Sequence, residues 1–316
     1  MRARFNPILL TLTVLMLIGG FSLPASAHQA DQTKADGATK KGDDLYKAGK
    51  YHDAIDAYKQ ALAADASNDH ALNYIGLCYN KLGDRPSARE WMRRRADMPG
   101  QSASIKSRAL QDLALLYWDE ADLRLARLAA AASDKPNPDE TQLITKLIAE
   151  GADSAVKAIA IAPKSAKAYS LLNLLIRCAA SMETDEARRK ELLGKADAAL
   201  AQSIQFYEAS PQQQQSGDMF VAPMISASSA AGNSAFKLCE ATKKDVPDSL
   251  KNPKGIVVAV EVFVGRDGKV NMVRPVSSSG ALGDAAVAAI NHWEFQPSSY
   301  NGHPVQTVEV VTFPEK

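Results

Sequence analysis

Few residues in this chain have the types and spacing that chemistry needs. The five histidines, His28, His52, His70, His292 and His303, lack the close pairing that brings imidazoles onto one metal ion. No metal and no cofactor is therefore expected. Ser277-Ser278-Ser279-Gly280 offers hydroxyls beside a turn but no G-x-S-x-G elbow, and reads as a helix-entry loop. Gly265-Arg266-Asp267-Gly268-Lys269 has neither the spacing of a phosphate-binding loop nor the Ser/Thr and helix that follow one. The cysteines are Cys78, Cys178 and Cys239. An odd number leaves at least one thiol unpaired or bonded to another chain. Cys78 and Cys178 sit in helical patterns as small buried residues, and Cys239 takes no assignment. No catalytic constellation results, so no enzyme is expected, and what remains is recognition by backbone edges and helix surfaces.

The strongest such edge is expected near the carboxyl terminus. Ile256, Val258, Val260, Val262 and Val264 occupy alternate positions, the period of a strand with one buried face. The Asp267-Gly268 pair tolerates positive φ and predicts a hairpin, returning through Val270, Met272 and Val276. Leu282, Ala285, Ala286, Ala289, Ile290 and Trp293 then form one helical stripe, with Asp284 in the first turn. Tyr300-Asn301-Gly302 is a turn, and 305–313 is a last strand. The order is β-β-α-β, and Trp293 and Phe295 are expected in its core.

These residues resemble the carboxyl-terminal domain of the TonB family of energy transducers. The resemblance rests on Gly255, on Asp267-Gly268-Lys269-Val270, on Ser278-Ser279-Gly280 and on Ala285-Ala286. It continues through Trp293-Glu294-Phe295-Gln296-Pro297 and Asn301-Gly302-His303-Pro304-Val305. It implies a periplasmic domain that captures an extended peptide of an outer-membrane transporter beside its last strand. An edge strand offers unpaired N–H and C=O groups to such a peptide. The expected edge is Thr307, Val308, Glu309, Val310, Val311 and Thr312. The alternative is an edge covered by a second copy, a homodimer, or by the rest of the chain.

Length and charge bound the remainder. The 316 residues suffice for two domains with linkers. Formal net charge is +1, and no basic stripe suggests nucleic acid. Residues 1–27 read as a signal peptide: Arg2 and Arg4, an apolar run, then Ala25-Ser26-Ala27 as a cleavage site. The implied location is the periplasm, with the membrane involved only indirectly. The alternative is a retained inner-membrane anchor, although the apolar run is short for a span.

The middle of the chain repeats. Gly42, Gly49 and Ala54 recur as Gly76, Gly83 and Ala88, 34 residues on. Gly42-Asp43-Asp44-Leu45-Tyr46 through Gly49-Lys50-Tyr51 and Ala54 resembles the tetratricopeptide repeat. A third unit places Leu110, Leu113, Ala114 and Tyr117 in a first helix and Ala126 in a second. Further helices are expected over 141–161, 166–180 and 186–207, separated by a loop at 134–139 and by Pro163. By the same resemblance, the exposed concave face comprises His70, Asn73, Asn80, Arg108, Gln111, Trp118, Lys167 and Arg177, and would take a peptide or protein partner.

The expected organisation is thus a signal (1–27), a polar linker (28–41), a helical repeat solenoid (42–208), a flexible linker (209–250) and the TonB-like domain (251–316). The 209–250 linker is rich in Gln, Ser and Ala, with Met219-Phe220-Val221 as an apolar docking candidate. The fold class is α followed by α+β. The leading functional expectation is a periplasmic adaptor with two protein-binding surfaces. The rivals are an anchored TonB-type energiser, against which the chain shows no long Pro-rich spacer, and a structural envelope protein that dimerises through its terminal domain.

Overall fold

The computed structural model describes residues 25–131, 137–230, 233–251, 256–277 and 280–314. Residues 1–24 of the expected 1–27 signal, part of the 134–139 loop, Gly255 and Ser278-Ser279 lie outside the described residues.

Eight helices form the amino-terminal layer: α1 (Ala25–Lys47), α2 (Tyr51–Ala64), α3 (Asp69–Lys81), α4 (Arg85–Asp97), α5 (Ala103–Ala130), α6 (Pro138–Ile161), α7 (Ala166–Met182) and α8 (Glu186–Glu208). Neighbours pack in sequence order as antiparallel hairpins. Side-chain caps set the starts of α3 to α8: Asn68, Asp84, Ser102, Asn137, Ser165 and Asp185 each accept a hydrogen bond from a first-turn N–H. The small repeat residues exist for close approach. A methyl group added at Gly42 would lie 2.5 Å from the Tyr58 ring, so only glycine lets α1 meet α2 there.

Two expectations about this layer change. The stretch 28–41, expected as a polar linker, belongs to α1. Its polarity reflects one wet face, because Ala35 is buried and Thr39 accepts from Asn68 at 3.1 Å. The third unit has no turn before Ala126: α5 is one continuous helix of 28 residues, and its antiparallel partner is α6. No Gly or Pro interrupts 103–130, so nothing breaks the helical ladder.

The segment 209–250, expected to be flexible, instead contributes structure to both layers. It contains α9 (Pro211–Gln214), a 3-10 turn (Met219–Val221), β1 (Met224–Ser226), α10 (Ala227–Ala230), β2 (Phe236–Lys237), β3 (Ala241–Lys243) and α11 (Asp248–Lys251). Its polar composition hides a few apolar anchors: Met224, Ile225, Ala230 and Leu250 are all buried.

The terminal layer follows the expected order with β4 (Val258–Val264), β5 (Val270–Pro275), α12 (Ala281–Ile290), β6 (Glu294–Phe295), β7 (Ser298–Tyr300) and β8 (His303–Phe313). The helix stops at Ile290, short of Trp293, whose N–H donates to Ile290 O at 2.9 Å. The main sheet runs β2-β7-β8-β4-β5, with β1 added to β8, and β3-β6 is a separate pair. At the β4–β5 turn Gly268 has φ 82°, and a Cβ there would meet Phe295 O at 2.1 Å. The stretch 265–269 is thus a hairpin tip that the chain crosses at backbone contact. Val258, Val260, Val262, Val264, Ala286, Ile290, Trp293, Phe295 and Phe313 make the core of this layer.

Candidate functional site

The register of β8 decides what its edge can offer. On one side β8 pairs antiparallel with β4, from Thr307↔Val264 to Phe313↔Val258. On the other side β1 pairs parallel, Met224↔Gln306, Ile225↔Thr307 and Ser226↔Val308. Thr307 and Val308, expected on the open edge, are therefore buried between two strands. The open part shortens to Glu309, Val310, Val311 and Thr312.

Hydrogen-bond alternation narrows it further. In an antiparallel ladder the hydrogen-bonding groups of successive residues point to opposite neighbours. Gln306 N–H donates to Pro223 O at 2.8 Å, away from β4. From Gln306 on, where β8 runs in unbroken register with β4, even-numbered residues thus face outward, which turns the N–H and C=O of Val310 and Thr312 to the open side. Beside them lies a groove of about 460 Å³ lined by Cys239, Glu240, Ala241, Lys244, Trp293 and Phe295 as well as the strand itself. Val310 is 39 % exposed, a large apolar side chain at the rim. Burial raises the Glu309 carboxyl above the usual range, against a hydrogen bond to Cys239 and the nearby Lys244 charge. Burial pushes the Cys239 thiol up to about 12, with Glu309 adding to the shift, so this cysteine is a neutral packing group. Lys244 stands 5.3 Å from the centre of the Trp293 ring. Trp293 and Phe295 are buried, as expected of core residues.

The expected concave face of the solenoid is, in contrast, largely filled by the chain itself. Trp118 is 0 % exposed and meets the rings of Phe220 at 5.8 Å and Phe263 at 6.3 Å, both edge-on. Arg177 is 2 % exposed, pairs with Asp197, and donates to Asn173 Oδ1 at 2.8 Å and to Ser229 O. Lys167 bridges Asp112 at 3.0 Å and Asp218 at 2.6 Å. Burial pulls its pKa down, but the two carboxyl groups outweigh this and raise it. Gln111 is buried on Ser107. His70 and Arg108 remain exposed, and Asn73 and Asn80 are half-buried. His70 leans on Asp43 at 2.7 Å and stacks on Tyr74. The expected set therefore does not form one open surface. Repeat geometry shows which residues line the inner face, but not that later residues cover them. Two signals in the sequence point the other way: an indole at a nominally wet position, and the apolar Met219-Phe220-Val221 island.

Residues outside those expectations hold the two layers together. Arg274 on β5 reaches Glu261 on β4 and Asp119 and Asp122 on α5. Glu261 and Asp122 are buried. Burial and the adjacent Glu261 carboxyl hold Asp122 well above the usual carboxylate range. Arg127 Nε donates to Val276 O at 3.3 Å. Among the described residues no group of His, Cys, Asp and Glu could hold a metal ion, and no helix is long and apolar enough to cross a membrane.

Comparison with known proteins agrees with this division. Residues 39–100 match the tetratricopeptide repeat model, and residues 252–314 match that of the Gram-negative bacterial TonB protein C-terminal. The chain joins tetratricopeptide repeats to a TonB-type carboxyl-terminal domain. Both are modules of protein–protein interaction. No curated protein matches the chain. Among solved structures it is similar to PilF of Pseudomonas aeruginosa, with 13 % identity over 57 % of this chain and 86 % of that one, TM-score 0.26. It is likewise similar to MamA (21 % identity, 53 % and 95 % covered, TM-score 0.24). A third is YrrB, described as a TPR protein with an unusual peptide-binding site (16 % identity, 62 % and 94 % covered, TM-score 0.25). At these scores nothing passes from those proteins to this one. The TonB-type domain spans the sheet from β4 to β8 and so includes the open edge, whereas β1 and β3 beside it come from residues outside the matched segment.

Proposed function

We propose that this chain is a non-enzymatic adaptor of a Gram-negative-type envelope, exported to the periplasm, that captures an extended segment of an outer-membrane or other envelope protein on β8. The observation that supports this reading is the outward backbone of Val310 and Thr312, which no strand among the described residues pairs, beside the groove lined by Trp293 and Phe295. Strand addition takes affinity from the backbone and specificity from alternate side-chain pockets. Four outward groups at about 1 kcal/mol net each give about 4 kcal/mol, which corresponds to about millimolar binding. Contacts in the groove must therefore supply any tighter affinity. The solenoid supports the site from behind rather than offering an independent groove at Trp118 and Arg177.

The test is an amide-shift titration of the full chain with peptides tiled across periplasm-facing segments of outer-membrane transporters. Shifts centred on Val310 and Thr312 are expected; none at either residue with any peptide would refute capture. Amino-terminal sequencing of the exported protein tests location. A start at His28 is expected, and a membrane-bound chain that begins at Met1 would favour an anchored transducer.

A further inference from the structure

We infer that β1 is a fixed stop that limits a captured strand to the two outward residues Val310 and Thr312, and that the solenoid holds this stop in place. The inference rests on the peptide-capture reading of the edge. It adds the length of partner strand the site accepts and the structure that sets it.

Without β1, the outward row of β8 would run through Gln306, Val308, Val310 and Thr312. Strand β1 takes the first two positions. A partner could gain them only by evicting β1, so what anchors β1 decides whether it is a stop or a displaceable plug. The anchors of 218–226 lie on the solenoid and on β8. Met224 O accepts from Asn173 Nδ2 at 2.7 Å, and Met224 N–H donates to Ser170 Oγ at 3.2 Å. Met224 and Ile225 are fully buried, Met224 within the cluster that contains Trp118, Leu171 and Phe263. Upstream, Phe220 packs edge-on against both Trp118 and Phe263. Gln306 Nε2 reaches Met219 O, and Asp218 closes the segment onto Lys167. Eviction would expose two large apolar side chains and leave Asn173 and Ser170, both buried, without these partners. A peptide that recovers one short stretch of ladder does not match that loss. The groove agrees with the limit, since from β8 only Glu309, Val310, Val311 and Thr312 line it. The ends of the site are thus set by two different parts of the chain: β1 on the solenoid at one end, and the end of β8 at Phe313 at the other.

The test uses the full native chain in two arms. Without any peptide, amide hydrogen exchange should show Gln306 and Val308 protected with the sheet, while Val310 and Thr312 exchange far faster. Val308 exchanging as fast as Val310 would overturn the stop whatever the fate of peptide capture. In the second arm, alternating Val-Thr peptides of four, six and eight residues with terminal lysines are titrated by amide shifts. Affinities within about threefold across the series are expected. A gain of about tenfold or more from four to eight residues, the amount two further outward positions would yield at least, with protection lost at Met224 and Ile225, would overturn the stop but leave peptide capture standing. If Val308 is protected and no peptide shifts Val310 or Thr312, it is capture that fails at this edge, and the length limit with it.

Discussion

Replacing Trp118 by alanine tests whether solenoid and terminal domain are one cooperative body. The indole is fully buried and lies edge-on to Phe220 and Phe263, which come from the connecting segment and from β4. Truncating a buried Trp costs about 3–5 kcal/mol through lost transfer energy and the cavity left behind, and two aromatic pairs add about 0.5–1.5 kcal/mol each. Part of the loss overlaps, so about 4 kcal/mol is the working figure. Part of it falls on the solenoid core around Leu171 and Leu174 and part on the joint between layers, because one partner ring belongs to the sheet and the other to the segment that carries β1. Urea denaturation followed by far-ultraviolet circular dichroism and by tryptophan fluorescence should give coincident transitions in the wild type. In Trp118→Ala the two probes should separate, with the terminal domain melting at lower urea and 209–251 becoming sensitive to protease. Trp91→Ala is the control: that ring is half-buried under Arg94 and should cost about 1 kcal/mol. A loss below about 1 kcal/mol in Trp118→Ala, or transitions that stay coincident, would refute the single-body reading.

Other perturbations test separate points. Gly268→Ala combines a positive φ with a Cβ 2.1 Å from a backbone oxygen; calorimetry should show a loss of about 2 kcal/mol or more. Arg274→Met leaves Asp119, Asp122 and Glu261 without their shared guanidinium and should cost about 3–5 kcal/mol by urea midpoint. The raised Asp122 carboxyl keeps a proton in the folded chain that the unfolded chain releases near pH 4. Its contribution to stability is therefore present at low pH and lost as pH rises through the folded-state value. Asp122→Asn stays neutral throughout, so its stability relative to wild type should climb as pH rises above the unfolded-state value near about 4; a constant difference would contradict the assignment. All three cysteines are free and buried, and burial pushes Cys78 to about 11. A thiol reagent should label fewer than about one cysteine per chain before unfolding.

What can be read from the sequence divides along a physical line. Local signals suffice for most helices of the solenoid, α1 and α5 excepted, because each capping residue and each apolar stripe is contained in one element. They also suffice for β4, the Asp267-Gly268 hairpin and β8, where alternation is strong. The misreadings concern residues whose environment comes from elsewhere in the chain. Thr307 and Val308 read as open edge because β1 is only three residues long and carries no period of its own. Lys167, Trp118 and Arg177 read as exposed because repeat geometry is blind to what docks later. The Arg274 cluster gives no signal at all: Asp119 and Asp122 stand more than 150 positions away, and no spacing rule links them.

The continuous helix α5 has a mechanical consequence. At 1.5 Å per residue its 28 residues make a rod of about 42 Å. Asp112, toward its start, ties it to Arg95 and Lys167, and Asp119 and Asp122 tie it to Arg274 on the sheet. Because the turn that would divide it is missing, this stretch cannot wind or unwind as stacked repeats do. On the amino-terminal side of this rod, bending is left to the turns of the first two helical hairpins. A load taken up at the sheet would pass along a stiff beam to an elastic end formed by α1 to α4.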